Sequence, residues 1–293
     1  MRNLILRFPH VAEQIFQQLN DEDLAKSREV ERLWQKFIDE RNYPWLRIVN
    51  IPTILQDGNT YMHLAAQCGQ TDMFEVILDE EKNKDPINDE GETAFFVACG
   101  KGHLNIVSVI LKKSDELKID LNNKHNHFQT PFLVACRKGQ MNIASILMKK
   151  ADELKIHLNS KDNDGRTAFH VACLNGHSEI AEMIMKNSSD MKMNLNSKDN
   201  GGWTAFHLAC RNGHSDIVEM IMKKSSKIKV DLNIKDNGGN TAFQIACYQF
   251  HSEIAEIMRK NSSELKIDLN SKDHSGQTAF YLACDMVIQR QQK

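Results

Sequence analysis

The stretch TAFHVACLNGH at residues 167–177 returns 37 residues later as TAFHLACRNGH at 204–214, and that recurrence governs the reading of the whole chain. Thr93, Thr130, Thr167, Thr204, Thr241 and Thr278 keep the interval, with Thr60 standing 33 before the first of them. Six cysteines, Cys99, Cys136, Cys173, Cys210, Cys247 and Cys284, keep it too. After each opening segment apolar residues recur at helical spacing, as in Ile180, Met183 and Ile184. A polar DLN-type segment and a Gly turn such as Asp199-Asn200-Gly201-Gly202 then close the unit. A repeat of this length cannot bury its apolar face alone, so neighbouring units must stack.

Composition narrows the function classes. Of 293 residues, 37 are Lys or Arg and 39 Asp or Glu, a net charge of −2, which argues against a dedicated nucleic-acid or membrane-surface protein. No stretch approaches the roughly 20 apolar residues of a membrane span. The N-terminus MRNLILRFPH lacks a signal-peptide core, and an odd count of seven cysteines does not suit a closed disulfide framework. The expected compartment is therefore cytoplasmic and/or nuclear.

The repeated segment resembles the ankyrin repeat, whose T-P-L-H-x-A signature opens the first of two short antiparallel helices. The likeness runs over residues 51–293, about seven units with the last incomplete, and implies an all-α solenoid of helix-turn-helix units joined by hairpin turns. In each unit Thr can cap the first helix. The Ala-Cys pair lets helices approach closely, and the Gly before His supplies a left-handed helix end. The period is 37 where the family's is 33. The four extra residues either lengthen the second helix by a turn or extend the loop. Phe250 takes the helix-ending Gly position and Phe128 the turn Gly position, so local distortion is expected at both.

Residues 1–50 are composed differently: none of the 14 glycines lies before Gly58, while Trp34 and Trp45 do. Val11, Ile15, Phe16 and Leu19 form one helical face, and Asn20-Asp21-Glu22-Asp23 offers a turn and cap. This segment, FPHVAEQIFQQLNDEDLAKSREVERLWQKFI, resembles an F-box, which would form a small three-helix domain ahead of the repeats. The resemblance implies docking of a Skp-family adaptor, and through it a cullin, by Pro9, Ile15, Phe16, Leu19, Leu24, Val30 and Trp34. The plainer reading is a helical cap on the array.

Catalytic chemistry finds no constellation. Cys-x-x-x-His occurs four times, as Cys99/His103, Cys173/His177, Cys210/His214 and Cys247/His251, each in isolation half a zinc site. Repetition at one unit's separation keeps the halves from converging, so the cysteines read as small buried residues and the histidines as hydrogen-bonding positions. Gly201-Gly202 and Gly238-Gly239 lack the GK[ST] of a phosphate loop. No enzyme, cofactor or metal is expected. Cys68 stands off register and is expected to be the one reactive thiol.

Where positions repeat they serve the scaffold, and where they vary they are free to meet a partner. By the family's pattern the binding surface comprises the residue before each Thr and the two after each Ala-Cys. Trp203, Arg166, Arg137, Lys138, Leu174, Arg211 and Tyr248 are the candidates, Trp203 foremost, because Trp, Tyr and Arg are the types enriched at interface hot spots. The expected function is a substrate adaptor of a cullin-based ubiquitin ligase, acting by proximity on a protein target. The competing reading is a stand-alone ankyrin scaffold or inhibitor.

Overall fold

The computed structural model describes residues 56–284, which are helical with isolated bridges from Ile87 to Thr93 and Lys235 to Thr241 and no strand among them. The F-box-like segment, residues 1–50, lies outside the described residues. The chain divides into two compact units, 1–126 and 127–293. In the first, a single 3-10 turn at Gln56–Gly58 precedes α1 (Tyr61–Cys68), α2 (Thr71–Glu80), α3 (Ala94–Lys101) and α4 (Leu104–Leu117). The second holds α5 (Pro131–Arg137), α6 (Met141–Lys149), α7 (Ala151–Leu154), α8 (Ala168–Leu174) and α9 (Ser178–Asn187). It continues with α10 (Ala205–Asn212), α11 (Ser215–Ile228), α12 (Ala242–Tyr248), α13 (Ser252–Lys260) and α14 (Ser262–Leu265), and residues 279–284 are helical.

Every first helix starts at the residue after its Thr because Thr holds an extended conformation and its hydroxyl takes a free amide. Thr93 Oγ1 accepts from Phe96 N at 3.2 Å, and Thr130 Oγ1 from Leu133 N at 3.3 Å. Each first helix is too short to persist alone and is stable through stacking. In the second unit α5, α8, α10 and α12 stack in succession, and α6, α9, α11 and α13 form the layer beside them; α1 on α3 and α2 on α4 repeat the arrangement in the first. The core between layers is Phe95, Ile106 and Ile110 in one unit and Phe132, Ile143, Leu147, Ile180 and Ile184 in the other, all essentially without solvent contact. Ala98, Ala135, Ala172 and Ala209 are wholly buried beside Cys99, Cys136, Cys173 and Cys210. A larger side chain there would force the helices apart.

In four of the five 37-residue units the extra residues add a helical turn after the second helix, whereas in the fifth α9 keeps 10 residues and the addition is a run of turns at 188–192. α2, in the 33-residue unit, has 10 residues, and α4 and α11 have 14. In two other units the added turn is the short α7 or α14, following a bend at Lys150 or Asn261. All five extended units end at a lysine in the left-handed region: Lys118, Lys155, Lys192, Lys229 and Lys266, with φ between 51° and 55°. The next residue then donates its amide back five positions, Ile119 to Ser114, Ile156 to Ala151, Met193 to Ser188, Val230 to Ser225 and Ile267 to Ser262. That bond and the burial of those five apolar residues make a Schellman-type stop.

Two expectations need correction. Phe128 and Phe250 do not distort the repeat: they adopt φ of 59° and 61°, within the left-handed range used by glycine at the matching positions. The inter-unit bonds beside them persist, including Asn163 N to His127 O at 3.3 Å. The cost is taken as backbone strain, on the order of 1–2 kcal/mol each. Nor is Cys68 the exposed thiol. It is half-buried, and burial raises its pKa, whereas Cys284 is exposed and Cys247 half-buried with its thiol pushed up to about 11.

Candidate functional site

The repeated histidines bind the units together. His170 Nδ1 accepts from Thr167 N at 3.2 Å, which leaves Nε2 as the protonated nitrogen, and Nε2 donates to Trp203 O of the next unit at 3.0 Å. His207 does the same with Thr204 N and Asn240 O, and His63 with Thr60 N and Glu92 O in the first compact unit. Gln244 replaces the imidazole without loss: Oε1 accepts from Thr241 N at 3.0 Å and Nε2 donates to Gln277 O at 2.9 Å. Burial lowers the pKa of His63, His170 and His207, against weaker upward effects from the carbonyls that face them.

The second histidine set points the other way. His177 Nε2 meets Arg137 O at 2.9 Å, His214 meets Leu174 O at 3.1 Å and His251 meets Arg211 O at 2.8 Å. Each carbonyl lies near the end of the preceding first helix, where orphan acceptors need partners. The helix-ending glycine is required twice over at Gly213: φ is 77°, and a Cβ would stand 2.7 Å from the His251 ring. The Cys-x-x-x-His histidines in this compact unit thus have structural partners.

The candidate binding face lies in the second unit, on its hairpin turns and the exposed ends of its first helices. Four of its turns are each held by one carboxylate. Asp199 Oδ1 accepts from Gly201 N at 2.9 Å and Trp203 N at 2.8 Å, and Asp162, Asp236 and Asp273 do likewise. This presents the residue before each Thr beside the first-helix residue eight positions later. Trp203 and Arg211 meet: the guanidinium carbon stands 4.7 Å above the indole. Gln129 and Arg137 meet as well, with the amide oxygen of Gln129 turned to accept from Arg137 Nε at 3.1 Å and Nη2 at 3.0 Å.

The predicted residues separate by how far the scaffold already uses them. Arg137 Nη2 lies 2.6 Å from Asp162 Oδ2, and that carboxylate is nearly inaccessible, so Arg137 braces the next turn. Arg166 spans two turns, with Asp164 at 2.7 Å and Asp199 at 3.6 Å. Leu174 is half-buried and its carbonyl accepts from Asn212 Nδ2 at 2.6 Å. Lys138, Arg211 and Tyr248 are exposed, and Trp203 is half-buried with its ring over Arg211. Sequence reasoning missed Phe128 as a surface residue. It is 56% exposed at a turn tip, and its signal was the one aromatic in a glycine column.

Among the described residues no helix is long and apolar enough to cross a membrane, and no group of three His, Cys, Asp or Glu side chains is placed to hold a metal ion. No curated protein sequence matches the chain. Among solved structures, the crystal structure of the human ASB11 ankyrin repeat domain superposes with a TM-score of 0.63 at 19% identity, covering 77% of this chain and 92% of that one. The family model for ankyrin repeats matches residues 44–125, 116–194, 155–231 and 191–273. That family is a protein-interaction scaffold and not an enzyme family. With these matches spanning most of its length, the chain belongs to the ankyrin-repeat family.

Proposed function

We propose that the chain is a substrate adaptor of a cullin-based ubiquitin ligase, holding a protein target on its ankyrin repeats and a Skp-family adaptor on residues 1–50. Protein binding as such follows from the family. The single structural observation that supports a target site is the pairing of Trp203 with Arg211 on an exposed face. Neither side chain fills the core, and their types are those that dominate interface energetics. The ligase side rests on the F-box resemblance, with Pro9, Ile15, Phe16, Leu19, Leu24, Val30 and Trp34 as the docking residues. No reaction is assigned to the chain: it contributes effective concentration and orientation. Cytoplasmic or nuclear residence accompanies this reading.

Co-expression with a Skp-family adaptor and size-exclusion chromatography tests it. The two chains are expected to co-elute, and Leu19→Ala with Leu24→Ala to separate them while the repeats keep their thermal transition. A folded chain that elutes apart from the adaptor contradicts the ligase reading and leaves the scaffold reading standing.

A further inference from the structure

We infer that the face built by the turns and first-helix ends of the second compact unit takes an acidic, extended peptide segment carrying two apolar anchors. This deepens the target-binding reading above and rests on it. Three observations converge.

The first is charge. The first-helix ends read Arg137-Lys138, Leu174-Asn175, Arg211-Asn212 and Tyr248-Gln249, and the residues before Thr read Gln129, Arg166, Trp203, Asn240 and Gln277, with no acid among them. Asp162, Asp199 and Asp236 are spent on turn amides, and the first two also face Arg137 and Arg166. Asp164, at a turn tip, pairs with Arg166. Lys138 and Arg211 are exposed, and among the described residues neither forms an ion pair with a carboxylate. In a chain whose net charge is −2, the exposed charges at these first-helix ends are all cationic.

The second is Phe128. Its register equivalents Gly165, Gly202, Gly239 and Gly276 have φ near 80°, and Phe128 holds the same region at 59° with its ring 56% exposed. An aromatic there costs backbone strain and leaves more than half of its surface in solvent, an arrangement expected where a side chain meets a partner. The third is the Trp203 indole, held with the Arg211 guanidinium over its ring and so preorganised to receive an apolar group at little entropic cost.

Phe128 and the Gly202-Trp203 tip are two units apart. With helices about 8–10 Å apart, that is about 20 Å, the reach of about six extended residues. The fitting segment therefore has apolar residues about six positions apart, with Asp or Glu between them opposite Lys138 and Arg211. Such binding weakens with salt, because the charges are exposed.

Panning a random 12-residue display library on the full chain, in parallel with its Trp203→Ala variant, tests the inference. The wild-type chain should enrich acidic sequences with two apolar residues five to seven apart, and the Trp203→Ala variant should not. By fluorescence anisotropy the selected peptides should lose at least fivefold in affinity on Phe128→Ala and at least tenfold on Lys138→Glu with Arg211→Glu. Circular dichroism melts establish that each variant is folded. Enriched peptides that need Trp203 but are neutral or basic, or that ignore Phe128 and the charge reversals, overturn the inference and leave this face a protein-binding site. Peptides indifferent to Trp203, or no enrichment at all, overturn both.

Discussion

His170 and His207 carry the densest set of jobs for single residues. Each takes the amide of its capping Thr on Nδ1 and gives Nε2–H to the next unit, so only the neutral ring fits. Protonating Nδ1 would set an N–H against an N–H in a buried site. Their folded pKa values lie below the 6.5 of an exposed imidazole. The unfolded chain therefore binds protons first as pH falls, so this stability is complete above about pH 7 and is lost progressively from about 6.5 down to the lower folded values. Gln244 shows that a glutamine satisfies the same partners without titrating. Replacing both, His170→Gln and His207→Gln, should flatten the fall in melting temperature between pH 7.5 and 5.5 while leaving the value at pH 7.5 nearly unchanged. An unaltered pH profile in that variant would show that other groups set the acid sensitivity.

At the scale of the element, the lengthened second helix raises the question of its stop. Five lysines in the left-handed region each cost about 1 kcal/mol relative to glycine, offset in part by about 0.3 kcal/mol for a cation at a helix C-terminus. Lys229→Gly should thus stabilise the protein by about 0.5–1 kcal/mol in chemical denaturation, since the carbonyl of residue 229 still accepts from Asn196 Nδ2. A loss of stability would mean that the lysine side chain has a larger role than its backbone shows. The elements themselves were legible in the sequence: Thr marks each first helix, the Ala-Cys pair its buried face, and the 37-residue period their stacking. Lengthened helix and lengthened loop were not separable, because Ser-Ser-Glu-Leu-Lys suits either and the stop is made by lysine. The behaviour of Phe128 and Phe250 was hidden for a related reason. Propensity gives the cost of a left-handed phenylalanine, but the surrounding ladder decides whether that cost is accepted or avoided. The partnerships within the candidate face, Arg137 with Asp162 and Trp203 with Arg211, join residues 25 and 8 positions apart and needed coordinates. They divide a list that looked uniform in sequence into Arg137 and Arg166, which brace turns, Leu174, which is half-buried, and Lys138, Arg211, Tyr248 and Trp203, which remain presentable.

For the whole molecule, the account assigns two contacts to two separate stretches of chain: residues 1–50 to a Skp-family adaptor and the face around Trp203 to a target segment. If both are right, the chain is a bridge and each contact can be removed without the other. A bridging assay on an immobilised Skp-family adaptor measures this directly, adding the full chain and then the labelled acidic peptide selected on its repeats. Peptide should reach the surface only when the chain is present. Leu19→Ala with Leu24→Ala should abolish retention of the chain, and Trp203→Ala should abolish retention of the peptide while the chain stays bound. A chain that the adaptor does not retain, or one retained equally well after both leucine substitutions, would contradict it.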